Sequence, residues 1–254
     1  MPDLRSYCRP PEVEPAEIRL DREESHHLVA VNRAREGDTV VAFDGLGREW
    51  VCECVAADKR EAVLKVRFAQ KARPLPYRIT LAQAVPKGRY MDAIIRKATE
   101  IGAAAIVPLL SERTVVRVDD EEAGKKKEKW VTATIEAAKQ CGNPWLPEIA
   151  EPVSVETFVE RQSGNYDLKL IASLQPGAQS LREVLTRFRN EQKREPANVA
   201  WMIGPEGDFT TAEMAAARNH GFEPISLGPL VLRCETAAVC ALSVLSYELQ
   251  NATA

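Results

Sequence analysis

Apolar and polar residues alternate with a period near two through much of the first seventy positions. Residues 38–43 carry Val40, Val41 and Phe43 and run into Asp44-Gly45, a hairpin signal. Residues 50–55 and 62–68 repeat the strand pattern, and a helical turn or two is predicted around 23–33. Pro74 and Pro76 then break regular structure, as a linker would. The reading is a small β-barrel or sandwich over 1–72, a size range in which independent domains are known, followed by a second domain over 73–254.

Past the prolines the period changes, and strands alternate with helices. Strands are predicted at 78–84, 105–109, 168–172, 198–203 and 225–227. Helices are predicted at 90–101, from about 119 to 140, at 181–192, up to Asn219, and at 236–249. Gly102, Gly142 and Gly221 sit where helices end, and Thr210 with Glu213 has the spacing of a capping box. Such alternation implies an α/β fold with an open, largely parallel sheet.

Composition narrows the class. The 254-residue chain is 45% hydrophobic, enough for a real core, and its longest apolar runs are too short to span a bilayer. Its beginning lacks the apolar core of a signal peptide, and its six cysteines form no CxxC pair, so a cytoplasmic place with reduced thiols is expected. A formal net charge of −3 argues against a generally basic nucleic-acid coat but leaves room for a local basic face.

The chemistry concentrates in two loops near the C-terminus. One spans 204–210 and begins Gly204-Pro205-Glu206-Gly207-Asp208; the other spans 227–238 and carries Gly228-Pro229 and Arg233. Each follows a predicted strand and precedes a predicted helix, and parallel sheets bind ligands at such carboxyl ends. Neither loop has a phosphate-cradling fingerprint, and Glu206 and Asp208 would repel a phosphate. The same two acids would also suit a helix N-terminus with no ligand. Two matching loops favour a pocket for a ligand that is neutral or cationic at the contact, and S-adenosylmethionine meets that description. His26, His27, Cys52 and Cys54 lack the spacing of a zinc site, so no metal is expected.

The segments 204–210 and 227–238 resemble the signature loops of the RsmE branch of the SPOUT methyltransferases. The resemblance extends to His26-His27-Leu28 with Arg33 and Gly37-Asp38, to Phe43-Asp44-Gly45, and to the stretch from Lys87-Gly88-Arg89 through Gly102. Ser111-Glu112-Arg113 and residues 136–140 match as well, so nearly the whole chain is covered. Asn32 and the segment Asn143-Pro144-Trp145 depart from the family pattern.

The resemblance implies a PUA-like RNA-binding N-terminal domain, a SPOUT domain with a deep trefoil knot, and a homodimer with the last helix at its interface. It implies S-adenosylmethionine-dependent methylation of N3 of a uridine in 16S ribosomal RNA of the small subunit. Methylation of a ribose 2′-hydroxyl and non-catalytic RNA binding during ribosome assembly are the alternatives. Expected cofactor contacts are Gly204, Pro205, Glu206 and Gly207 in the first loop. Leu227, Gly228, Leu230, Leu232, Thr236 and Ala237 are expected from the second, with Leu81 from the strand at 78–84. Arg233 is the catalytic candidate, able to stabilise charge on the uracil oxygens, with an ion pair to Glu206 or Glu235 as the competing role. Arg5, Arg33, Lys87, Arg89 and Arg113 are candidate phosphate contacts, and Tyr7 is a candidate for stacking on a base.

Overall fold

The computed structural model describes residues 4–88, 90–114 and 120–250, and the chain divides into two compact units. The first comprises the residues up to 74 together with 135–146; the second comprises 75–134 and the residues from 147 onward.

The N-terminal unit holds β1 (Leu4–Tyr7), β2 (Glu17–Arg19), α1 (Arg22–His26), a π-helical turn over His27–Val31, β3 (Thr39–Phe43), β4 (Arg48–Ala56) and β5 (Val63–Lys71). Its sheet runs β1-β3-β4-β5-β2, parallel only between β1 and β3. Alternation on the central strands sends Val40, Ala42, Trp50, Cys52, Cys54 and Leu64 into one core, capped by Leu28. The helical turns expected around 23–33 are present but change type: Asp21 caps α1, its Oδ1 accepting the Glu24 N–H at 2.9 Å, and the π turn follows. Residues 4–7 and 17–19 gave no strand signal because each is too short to show a period.

The turn between β3 and β4 is closed by a segment about a hundred residues away in the same unit. Gly47 N–H donates to Pro144 O at 3.0 Å, and Leu146 N–H donates to Gly45 O at 2.9 Å. Gly47 has φ +86°, and a Cβ there would run into the indole of Trp145. Both strain and collision therefore exclude a side chain.

The second unit contains β6 (Arg78–Ala84), α2 (Tyr90–Ile101), β7 (Ala105–Leu110), α3 (Asp120–Cys141, whose last residues count with the first unit), β8 (Glu148–Ile149) and β9 (Val153–Ser154). Next come α4 (Val155–Gln162), β10 (Leu168–Ala172), α5 (Leu181–Gln192), β11 (Asn198–Ile203), α6 (Thr211–Asn219), β12 (Glu223–Ile225) and α7 (Cys234–Gln250). The sheet order is β12-β10-β11-β6-β7-β8, with β9 also on β7, and every pairing is parallel.

Both faces of this sheet are covered. Ile79, Leu81, Ile106, Trp201 and Ile203 face α2, α5 and α7, while Ala82, Leu109, Ala200 and Met202 face α4 and α6. Tyr77 and Ser246 share a buried hydrogen bond of 2.9 Å that ties α7 beside β6. The α4 helix went unread although Val155, Phe158 and Val159 have helical spacing, because eight residues give barely two turns of pattern. The last strand was expected at 225–227 and lies instead at 223–225. Pro224 falls within β12, which is an edge strand, where a missing N–H is tolerated.

Gly47→Ala is expected to destabilise the protein by at least about 2 kcal/mol, since left-handed strain and a steric clash add together. Urea unfolding read by tryptophan fluorescence checks this; an unchanged midpoint would show that the Trp145 seat is not rigid.

Candidate functional site

The carboxyl ends of β10, β11 and β12 open onto a single cleft. Its walls are Ala172, Ser173 and Leu174 after β10, Gly204, Pro205, Glu206 and Asp208 after β11, and the second loop with the start of α7 after β12. The second loop contributes Leu227, Gly228, Leu230, Val231 and Leu232, and α7 contributes Cys234 and Ala237. The enclosed part of the cleft holds about 90 Å³, and the rest lies open to solvent.

The first loop is a tight turn held by its own groups. Asp208 N–H donates to Pro205 O at 3.0 Å, and Asp208 Oδ1 accepts the Phe209 N–H at 2.8 Å. Asp208 sits at φ +60°, a conformation Asp tolerates better than most residues. Thr210 and Glu213 then form the expected capping box at the start of α6. Glu213 does more than cap: its side chain is fully buried, and its Oε1 accepts the Glu112 N–H at 2.9 Å. Its Oε2 accepts the Thr210 N–H at 2.8 Å, so one carboxylate joins the loop after β7 to the loop after β11. Glu206 Oε1 accepts the Lys87 N–H at 3.0 Å, which brings the turn after β6 to the same edge.

The second loop leaves β12 through Ser226, whose N–H donates to Gln179 O at 2.9 Å and whose Oγ accepts the Gly228 N–H at 3.3 Å. Gly228 has φ +123°, which only glycine adopts without strain. The rest of the loop is held out toward the cleft mouth, with Leu230 and Val231 among the most exposed apolar residues of the protein. Burial, with Glu206 and Glu235 nearby, pushes the Cys234 thiol up to about 11, so it stays protonated near neutrality.

Eight of the expected cofactor residues line this cleft: Gly204, Pro205, Glu206, Leu227, Gly228, Leu230, Leu232 and Ala237. Leu81 does not; it is fully buried between Trp201 and Ile106 in the sheet. Gly207 faces away, its carbonyl accepting from Arg113 Nη1 at 2.5 Å, and Thr236 is exposed on α7 outside the cleft wall. The wall from Ala172 to Leu174 was missed. Its signal is indirect, because residue identity does not say that β10 lies between β11 and β12.

Arg233 is exposed beside the cleft, and among the described residues no carboxylate lies within 4 Å of it, so neither Glu206 nor Glu235 takes it as an ion-pair partner. Arg5 is committed elsewhere: its Nη2 meets Glu49 at 2.7 Å, its guanidinium lies 5.2 Å from the Phe43 ring centroid, and its side chain is only 12% exposed. That withdraws Arg5 from phosphate contact. Arg33, at φ 60°, and Lys87 are exposed. Arg89 lies outside the described residues. Tyr7 packs edge-on against Phe43 at 5.8 Å and is half-buried, a packing role rather than a free stacking platform. Cys52 and Cys54 are core residues, and among the described residues no group of three His, Cys, Asp or Glu could hold a metal ion. No helix among them is long and apolar enough to cross a membrane.

Residues 73–246 match the model of an RNA methyltransferase domain, and residues 20–67 match that of an RNA methyltransferase PUA domain. The chain is 34% identical over 248 residues to ribosomal RNA small subunit methyltransferase E of Synechocystis, covering 97% of this chain and 78% of the relative. The chain belongs to this RNA methyltransferase family. The Bacillus subtilis protein of the same name is 32% identical, covering 89% of this chain and 88% of the relative. A methyltransferase from Legionella pneumophila, solved with the bound cofactor SAM, superposes with a TM-score of 0.87 at 35% identity, covering 97% of this chain and 98% of that one. The small subunit methyltransferase E of Neisseria gonorrhoeae, bound to S-adenosyl methionine, gives 0.84 at 26% identity with the same coverage.

Glu213→Ala is expected to cost roughly 2–4 kcal/mol, because it strands the Glu112 and Thr210 N–H groups that the buried carboxylate satisfies. Because the loop after β11 lines the cleft, it is also expected to weaken S-adenosylmethionine binding in calorimetry. Stability lost with cofactor affinity intact would show that the loops hold their shape without this residue.

Proposed function

We propose that the protein transfers a methyl group from S-adenosylmethionine to N3 of a uridine in 16S ribosomal RNA. The observation that carries this reading is the cleft between the two glycine loops, in a chain of the RNA methyltransferase family. Its lining fits the cofactor. It combines apolar side chains with turn backbone, presents the acids Glu206 and Asp208, and includes no lysine or arginine. A phosphate-bearing nucleotide would meet repulsion there, whereas a cationic, unphosphorylated ligand would not.

When bound, S-adenosylmethionine supplies an electrophilic methyl group on a sulfonium. The chain's own groups do the rest. The rigid turns at 204–208 and 226–228 hold the ligand in one orientation, which an in-line displacement requires. Arg233, exposed beside the cleft and without an ion-pair partner among the described residues, stabilises negative charge on the uracil oxygens as the N3 proton leaves. Glu206 and Glu235 are the carboxylates available to accept that proton.

We infer further that the second unit carries the family's trefoil knot and that the protein works in the cytoplasm, where its ribosomal substrate is made. A homodimer formed through α7 is supported by Val244 and Tyr247, which that helix leaves 39% and 67% exposed. Val244→Asp is expected to raise the dimer dissociation constant at least about tenfold, since a desolvated unpaired charge is costly. Sedimentation equilibrium reads this, and an unshifted constant places the interface elsewhere.

The decisive experiment is methyl transfer to small ribosomal subunits from cells lacking this protein, with the product digested to nucleosides and the modified position mapped. N3-methyluridine is expected; a methyl group on ribose, or none, sinks the proposal. Arg233→Ala is expected to lower kcat roughly 100- to 1,000-fold while S-adenosylmethionine affinity changes little. Equal losses in both would remove Arg233 from a catalytic role.

A further inference from the structure

A second cleft lies wholly within the N-terminal unit and has the opposite character. Its walls are Arg22, Glu23 and His26 on α1, and Lys59 and Arg60 on the turn between β4 and β5. Both walls are prebuilt. Asp58 Oδ1 accepts the N–H groups of Arg60 at 2.6 Å and Glu61 at 3.3 Å, which shapes the turn. Ser25, fully buried, stitches the two walls together: its Oγ accepts the Ala62 N–H at 2.8 Å and donates to Leu20 O at 3.1 Å. Leu20 N–H in turn donates to Ala62 O at 3.0 Å.

The charges on these walls are exposed, with the Asp58 carboxylate near Arg60. Arg22, His26, Lys59 and Arg60 are all exposed, and among the described residues none of the four has an ion-pair partner within 4 Å. The neighbouring acid Glu61 is taken by Arg19 at 2.6 Å, and Asp58 is engaged in its own turn. Three permanent cations, Arg22, Lys59 and Arg60, thus face one wall acid, Glu23. Three exposed cations around an open cleft, with no ion pair among the described residues, suit an external polyanion, because preorganised cations lose little entropy on binding phosphate.

We propose that this cleft grips the phosphate backbone of the substrate RNA. The inference rests on the reading of that substrate as ribosomal RNA, and all four basic residues fall inside the segment 20–67 that matches the RNA methyltransferase PUA domain. It replaces Arg5, which the structure ties to Glu49, as the principal phosphate contact of this unit. Contacts of this kind orient the RNA and carry no sequence information themselves.

The test is the salt dependence of binding to a 16S ribosomal RNA transcript, read by fluorescence anisotropy. It compares the full-length wild type with Arg22→Ala/Lys59→Ala/Arg60→Ala. All three side chains are exposed, and unchanged circular dichroism and S-adenosylmethionine affinity confirm an intact fold. Each lost phosphate contact removes about 0.7–0.9 from the slope of log K against log salt. The triple variant is therefore expected to lose about two units of slope and to bind at least tenfold more weakly.

A control removing three exposed arginines of the other unit, Arg161→Ala/Arg182→Ala/Arg218→Ala, has the same change in net charge. If both triple variants behave alike, general electrostatics explains the effect and the proposal fails. Inorganic phosphate is titrated in parallel. If phosphate binding is lost while the RNA slope stays intact, the cleft is a small-anion site and the proposal is again overturned. Absence of methyl transfer by the wild type would sink the functional reading alone, because the slope comparison does not depend on turnover.

Discussion

Parallel pairing of β10 with both β11 and β12 is the constraint on which the cleft depends. Because all three strands run the same way, their carboxyl ends finish at one edge of the sheet, and whatever follows each strand gathers there. The glycine loops are separated by the whole of α6 and β12 in sequence, yet the register Leu170↔Glu223 and Leu170↔Trp201 leaves them only β10 apart in space. An antiparallel partner at either position would have sent one loop to the opposite edge.

The cleft and the basic groove divide the electrostatics of the task. One is apolar, acidic and lined by turn backbone; the other is open, cationic and free of apolar anchors. A net charge of −3 hides this division, since the two clefts offset each other in the sum. What the acids at the first site exclude is as informative as what they attract, because a triphosphate would be rejected where a sulfonium is tolerated. Buried Glu213 belongs to a different class: its charge is spent on backbone donors, and its role is to hold the loops in register.

Much of the second unit was legible because its elements are long and their periods clean. The strands at 78–84, 168–172 and 198–203 and the helices at 90–101 and 181–192 coincide with the expected ranges to the residue. Short elements were not legible: four residues at β1 and three at β2 carry too little pattern to stand out from loop. Tertiary placement was the other blind spot. Leu81 was expected at the cofactor but lies three residues before the end of β6, inside the sheet, whereas Leu174 lines the cleft because β10 lies between β11 and β12. The partnership of Arg5 with Glu49 crosses from β1 to β4, which sequence spacing does not encode.

The seat of Trp145 on the β3–β4 turn has a consequence for how the protein is made. The N-terminal unit is discontinuous: its final segment, 135–146, is synthesised 61 residues after the first stretch ends at 74. At ribosomal speeds of about 5–20 residues per second, that separation lasts roughly 3–12 seconds. Throughout that interval the nascent sheet carries an unfilled socket at Gly45 and Gly47, and a Glu24 carboxylate that has the Tyr7 N–H but lacks Lys139, which later meets it at 2.6 Å. The first domain to leave the ribosome is thus the one that waits, and its completion is timed by the emergence of α3.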